Sequence, residues 1–209
     1  MQIVRDTDTL PKHSTVAAIG MFDGVHLGHL TLIDEVKRIA AQRHLKSAVI
    51  TFAQHPQAVL RPDSDIKMLM TVPDKVAEIG RHGIDVTVLL NFTYELSLNN
   101  SRQFLQLLCD RYGVAVLVVG YDHRFGHDKS ETFADYVRHG KELGIDVVKA
   151  PEYLGEYAPV SSSIIRRLIA SGKVDDAMRC MGRPYTLSGK VVHGFHNGRG
   201  IGFHTAKVG

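Results

Sequence analysis

Two histidines three residues apart, His26 and His29, close a run that begins at Gly20 and passes through Phe22, Asp23, Gly24 and Gly28. An apolar stretch, Val16–Met21, reads as a buried strand and stops at this run; after it, Leu30, Ile33, Val36 and Ile39 recur at helical spacing. A strand therefore feeds a tight glycine turn, and two imidazoles open a helix. Backbone N–H groups at a helix start attract anions, and glycines let a phosphate approach the main chain closely. Imidazoles placed there can hydrogen-bond phosphate oxygens as charge develops. The competing readings are incidental histidines or half of a metal site. A metal pair needs further ligands, and the two cysteines offer no obvious set. Phosphate contact is the better reading, and the chemistry is that of nucleotides.

Three further segments carry reactive side chains. Val160 to Arg167 holds Ser161, Ser162, Ser163 and Arg166 at a helix start. It fits a donor-rich anion cradle, with the planar guanidinium of Arg166 gripping two oxygens. It fits a serine cap with a surface basic pair equally well. Val118 to Gly126 follows a strand and gathers Asp122, Arg124 and Phe125 where ligands sit in open α/β sheets. Asp122 suits a ring or ribose donor, and Phe125 suits a flat ring. Thr51 to Pro56 also ends a strand, and position alone makes His55 a ligand-contact candidate.

Apolar strands alternate with amphipathic helices up to about Pro151, which predicts an α/β fold with a parallel sheet and helices on both faces. The expected strands are Val16–Met21, Ser47–Phe52, Val86–Asn91, Val114–Val119 and Asp146–Lys149. The expected helices are His29–Gln42, Pro73–His82, Ser101–Arg111, Glu131–Leu143, Ser162–Ala170 and Val174–Met181. Gln54–Thr71 reads as a long irregular loop, of the kind that often flanks a substrate. From Tyr185 the texture changes: Leu187–Val192 alternates like a strand, then glycines crowd the chain. This tail predicts the opening of a further β unit.

Lysine and arginine total 25 against 22 acidic residues, a formal charge of +3 with no basic block. Nucleic-acid binding is therefore unsupported, while small anionic substrates are compatible. Cys109 and Cys180 stand apart without framework spacing, as buried thiols in a reducing compartment do. With no apolar signal core and no run of membrane-spanning length, the expectation is a soluble, cytoplasmic protein without a membrane partner.

These four segments, in this order and at these strand ends, resemble the bacterial FAD synthetase family, the bifunctional riboflavin kinase/FMN adenylyltransferases. The family's G-x-F-D-G-V-H-x-G-H motif is met in full by Gly20, Phe22, Asp23, Gly24, Val25, His26, Gly28 and His29. Its T-F-x-P-H-P segment matches Thr51, Phe52, His55 and Pro56, with Gln54 in place of proline. The L-L-T motif with its following lysine resembles Leu69, Met70, Thr71 and Lys75. V-G-x-D-F-x-F-G matches Val119, Gly120, Asp122, Phe125 and Gly126, with His123 replacing an aromatic residue. I-S-S-T-x-I-R appears as Val160 to Ser163, Ile165 and Arg166. Gly182 to Tyr185 resembles the link into the kinase barrel, and Gly202 to Lys207 resembles its G-F-P-T-A-N motif without the proline and asparagine.

The resemblance implies a Rossmann-like HIGH-type nucleotidyltransferase unit over residues 1–182, followed over 183–209 by the start of an incomplete riboflavin kinase β-barrel. A closed barrel needs its remaining strands, so kinase activity is not expected. The implied reaction is FMN + ATP → FAD + pyrophosphate. His26, His29 and Arg166 would be the catalytic groups. Gly20, Phe22, Asp23, Gly24, Gly28, Ser162 and Ser163 would bind ATP, and His55, Asp122 and Phe125 the flavin. Magnesium would travel with the phosphates of ATP, with no metal ligand assigned to the protein. The alternatives are a HIGH-type enzyme for another phosphorylated acceptor and a non-catalytic flavin- or nucleotide-binding module.

Overall fold

The structure is a computed structural model, and it describes residues 1–61, 63, 66–121, 125–128, 130–193, 202 and 207–208. Six strands form one sheet: β1 (Gln2–Arg5), β2 (Thr15–Ile19), β3 (Lys46–Phe52), β4 (Val86–Leu90), β5 (Val114–Val119) and β6 (Asp146–Lys149). Their order is β1-β4-β3-β2-β5-β6, and every neighbouring pair is parallel. Both β2 and β4 are buried at every position, as expected of strands covered on two faces.

Alternate residues of β2, β3 and β5 feed two separate cores. Ala17, Ile19, Ile50 and Val88 pack with Phe104, Leu105 and Leu108 of α5 (Ser101–Tyr112) and with Tyr136 of α6 (Phe133–Glu142). Val16, Ala18, Val49 and Val118 pack with Leu32, Ile33 and Val36 of α1 (Leu27–Arg43) and with Ile79 of α3 (Val72–Arg81). A third cluster joins Leu69 to Ile165 of α7 (Ser162–Ala170) and to Ala177, Cys180 and Met181 of α8 (Val174–Met181). The expected α/β architecture is present, and both cysteines are free and buried. Among the described residues no helix is long and apolar enough to cross a membrane.

The strand order reverses direction between β2 and β5: from β2 the chain steps outward through β3 and β4, and from β5 it steps the other way to β6. Such a switch point opens a crevice at the carboxyl ends of the two strands. The His26/His29 run leaves the end of β2, and the segment carrying Phe125 leaves the end of β5.

Three elements were not expected. β1 is an edge strand that buries only Val4. Two short helices, α2 (Pro56–Leu60) and α4 (Tyr94–Ser97), bury nothing. The expected first strand ends at Ile19 rather than Met21, because the chain turns away to reach a left-handed Phe22. In place of a strand over 187–192, only Val191–Val192 (β7) pairs, antiparallel to Lys207–Val208 (β8).

Candidate active site

The turn between β2 and α1 is built on unusual backbone. Phe22 (φ 50), Gly24 (φ 83) and Val25 (φ 38) all lie in the left-handed region. For a β-branched residue such as Val25 this is a costly conformation, the kind that persists where surrounding structure enforces it. Enforcement comes from burial, since Phe22 and Val25 are wholly enclosed. At Gly24 the positive φ strains any side chain, and a Cβ there would lie 2.7 Å from Leu69 Cδ1.

The turn ends at His26, the N-cap of α1. His26 Nδ1 accepts the backbone N–H of His29 (3.4 Å), and His29 Nδ1 accepts the backbone N–H of His26 (3.3 Å). The rings stack with centroids 3.7 Å apart, and Phe22 lies 4.9 Å from the His29 ring. A neutral imidazole whose Nδ1 accepts carries its proton on Nε2. The cap therefore fixes both rings in the tautomer whose Nε2 is a donor. Burial pushes the His26 pKa down to about 4, with the positive charge of Arg183 adding to it, so this ring is neutral near pH 7. Gly28 leaves the His26 ring room, since a Cβ there would stand 3.3 Å from Cε1 and Nδ1.

Asp23 is 1% exposed. Its carboxylate accepts the Leu69 N–H on both oxygens (2.9 and 3.1 Å) and pairs with Arg166 Nη2 at 2.5 Å. Arg166 Nε also donates to Lys67 O (2.8 Å), and the Ser162 hydroxyl donates to Asp23 O (2.8 Å). Ser161 caps α7, and Ser163 is exposed in its first turn. The start of α7 is thus tied to the turn that carries the histidines. Lys75, 1% exposed, donates to Met21 O (3.1 Å) and Phe52 O (2.8 Å). Its burial brings the ammonium down to about 8, against an opposing pull from Asp23. His55 caps α2 by accepting the Gln57 N–H. Its pKa is lowered by burial first and then by Arg166, which puts it within electrostatic reach of the same group.

Beside these groups, a cavity of about 310 Å³ opens at the carboxyl ends of β2 and β3. Ile19, Phe52, Phe92, Phe104, Phe125 and Pro56 line it. Phe125 stacks on Tyr136, whose hydroxyl donates to the Phe125 carbonyl. An apolar slot with aromatic edges suits a flat ring system. A wider hollow of about 590 Å³ lies at the opposite, amino ends of the strands beside Asp85, whose carboxylate is already engaged by Ser47.

The residues expected from the sequence are thus placed as follows. His26, His29, Gly24, Gly28, Asp23, Ser162 and Arg166 converge on one turn, and Gly20 joins it to β2. Ser163 lies beside them on α7. Phe22 is there too, but its side chain is enclosed beneath His29. Phe125 lines the neighbouring cavity, His55 caps the helix that contributes Pro56 to it, and Asp122 lies outside the described residues. Two charged groups at the turn carried no such expectation. Arg183 Nη2 donates to Gly24 O (2.7 Å), Nη1 donates to Val25 O (3.1 Å), and Nε pairs with Glu78 Oε1 (3.2 Å). In the sequence Arg183 stands only in the link toward the following unit and Glu78 in no motif, because the contacts join segments far apart in the chain.

Among the described residues no cluster of three or more metal-ligating side chains exists, and the Asp23 carboxylate is already bonded to Arg166 and Leu69.

A model of the FAD synthetase family matches residues 9–164, and a model of riboflavin kinase matches 181–209. Over 207 residues the chain is 34% identical to a bifunctional riboflavin kinase/FMN adenylyltransferase of Listeria monocytogenes, covering 97% of this chain and 64% of that one. A protein of the same description from Bacillus subtilis is 36% identical over 93% of this chain and 62% of its own length. The Escherichia coli counterpart is 30% identical over the whole chain and 68% of its own length. The chain thus spans less than two thirds of the first and second of these relatives. A crystal structure from Streptococcus pneumoniae, described as a macrolide-efflux protein, superposes with a TM-score of 0.86 at 26% identity, covering all of this chain and 69% of that one. By its turn, its sheet and its sequence, the chain belongs to the FAD synthetase family.

Proposed function

We propose that this chain transfers the adenylyl group of ATP to the phosphate of FMN, producing FAD and pyrophosphate. The supporting observation is the two-part crevice at the switch point: a pair of Nε2-donating imidazoles at a helix N-terminus beside an aromatic-lined apolar slot. The flavin ring would enter the slot among Phe52, Phe92 and Phe125. Its phosphate would then face the turn carrying His26 and His29.

An oxygen of the FMN phosphate attacks the α-phosphorus of ATP as the bond to the pyrophosphate oxygen breaks, so no side-chain nucleophile is needed. His26 and His29 would donate through Nε2 to oxygens whose charge grows in this step. Donors of that kind are typically worth 10²–10³ in rate. Arg166, with Ser162 and Ser163, would meet the β- and γ-phosphates once its guanidinium turns from Asp23. Lys75 and the amino end of α1 add positive potential from beneath. Gly20, Gly24 and Gly28 would let the nucleotide approach the backbone, and Asp23 would hold the turn. His55 and Asp122 are proposed on the flavin side. Magnesium, carried by the ATP phosphates, supplies charge neutralisation when bound.

We assign this unit to residues 1–182 and the start of a second, kinase-type unit to 183–209. Two buried free thiols favour the cytoplasm as its compartment. Mixing the chain with ATP, magnesium and FMN and separating the products by chromatography should yield FAD. FMN binding without FAD would defeat the reading, and turnover with a different phosphorylated acceptor would reassign the slot.

A further inference from the structure

Arg183 lies within the segment matched by the riboflavin kinase model, yet its guanidinium reaches back into the adenylyl-transfer turn. The carbonyls of Gly24 and Val25 belong to consecutive left-handed residues in the turn between β2 and α1. Main-chain carbonyls removed from water require donors. One planar guanidinium satisfies both, at 2.7 and 3.1 Å, and its third side is held by Glu78 of α3. Gly182 makes this approach feasible. It ends α8 with φ 72, and a Cβ there would meet Leu27 Cδ2 at 2.7 Å, so the chain leaves α8 directly against the first residue of α1.

We propose that Arg183 is a positioning residue for adenylyl transfer: clamped by Glu78, it locks the Gly24 and Val25 carbonyls and thereby sets the His26 ring at the start of α1. This rests on the reading of the turn as the adenylyl-transfer site. It extends that site into the following unit, so that residues on both sides of the 182/183 junction build it. The charged and titratable groups around His26 are the stacked His29 ring from α1, Arg183 from the C-terminal segment and, behind Arg183, Glu78 with Arg81 and His82 from α3.

The test compares the full chain with Arg183→Met, Arg183→Lys and Glu78→Gln, reading FAD formation and the NMR titration of the His26 imidazole. Arg183→Met should lower kcat roughly 10- to 100-fold, as small displacements of reacting groups do. KM for ATP and FMN should change less than about threefold, and the His26 midpoint should rise. Arg183→Lys should restore part of kcat, since an ammonium can serve one of the two carbonyls. Glu78→Gln should cause a smaller fall. Unchanged kcat in the folded Met variant, or a loss that only tracks the unfolded fraction, overturns the proposal. Should the Met variant not fold, wild-type kcat in both the Lys and Gln variants overturns it. Should the parent chain make no FAD, the functional reading fails instead. The backbone amide NMR shifts of Gly24, Val25 and His26 then decide separately: altered shifts in the folded Met or Lys variant support the clamp, and unchanged shifts refute it.

Discussion

His26 and His29 cap each other: each Nδ1 accepts the other's backbone N–H across one turn, and the rings stack at 3.7 Å. One arrangement thus completes the helix start and fixes which nitrogen of each ring is a donor. Replacing His29 with Ala should lower kcat about 100-fold, with less than about threefold loss in ATP affinity. Steady-state kinetics together with ATP titration calorimetry would measure both. Equal losses would make His29 a ground-state contact rather than a transition-state one.

Acid should act on the fold through His26. Its native pKa, about 4, lies below the ordinary value of 6.5, so the native state resists a proton that the unfolded chain accepts. Stability is therefore intact above pH 6.5 and lost as the pH falls toward 4, by roughly 3 kcal/mol. Urea unfolding at pH 7 and 4.5 should show this loss in the parent chain. His26→Asn, which retains a capping acceptor, should lose distinctly less; identical losses would point to other groups.

The enclosed Asp23 carboxylate holds the Leu69 N–H and Arg166, whose side chain is 25% exposed. Asp23→Asn keeps an acceptor for Leu69 but leaves the guanidinium unpaired. Removing one partner of such a pair should destabilise the protein by about 3 kcal/mol. A change in urea midpoint worth less than about 0.5 kcal/mol would mean that Arg166 is already satisfied by Lys67 O and water.

Phe92 is half-buried, lines the apolar slot and meets Phe52 edge-on at 5.5 Å. Phe92→Ala should weaken FMN binding about tenfold, the value of one lost stacking contact. ATP binding should be unaffected. Flavin fluorescence quenching gives the first quantity and nucleotide titration the second. Tyr94→Ala, exposed and outside the slot, serves as the control, and equal effects in both variants would remove the ring from this cavity.

Much of this was legible in the sequence where neighbours in the chain are neighbours in space. The β2 turn and α1 declare themselves by a change of period and by glycine spacing. The bounds of α7 and α8 are readable because Gly172 and Gly182 mark their ends. β1 was not legible, since an edge strand burying Val4 alone leaves no apolar run. α2 lies inside what reads as a loop, for its start depends on the His55 cap and no side chain of it is buried. Asp23 reads as part of the nucleotide turn, but its bond to Arg166, 143 positions later, is not readable from the sequence. The slot likewise draws Phe52, Phe92, Phe104 and Phe125 from four separate segments, a convergence that only the sheet order brings about.

The C-terminal glycine of α8 looks like a natural seam at which to divide this chain. A cloning boundary or protease nick immediately after Gly182 would nonetheless strip Gly24 and Val25 of their shared guanidinium partner and leave Glu78 facing Arg81 and His82 alone. The excised piece would retain both imidazoles but lack this partner, so under the proposed function an activity assay on it would understate the parent. Dissection is better begun beyond Tyr185, whose ring also packs on the α7–α8 cluster.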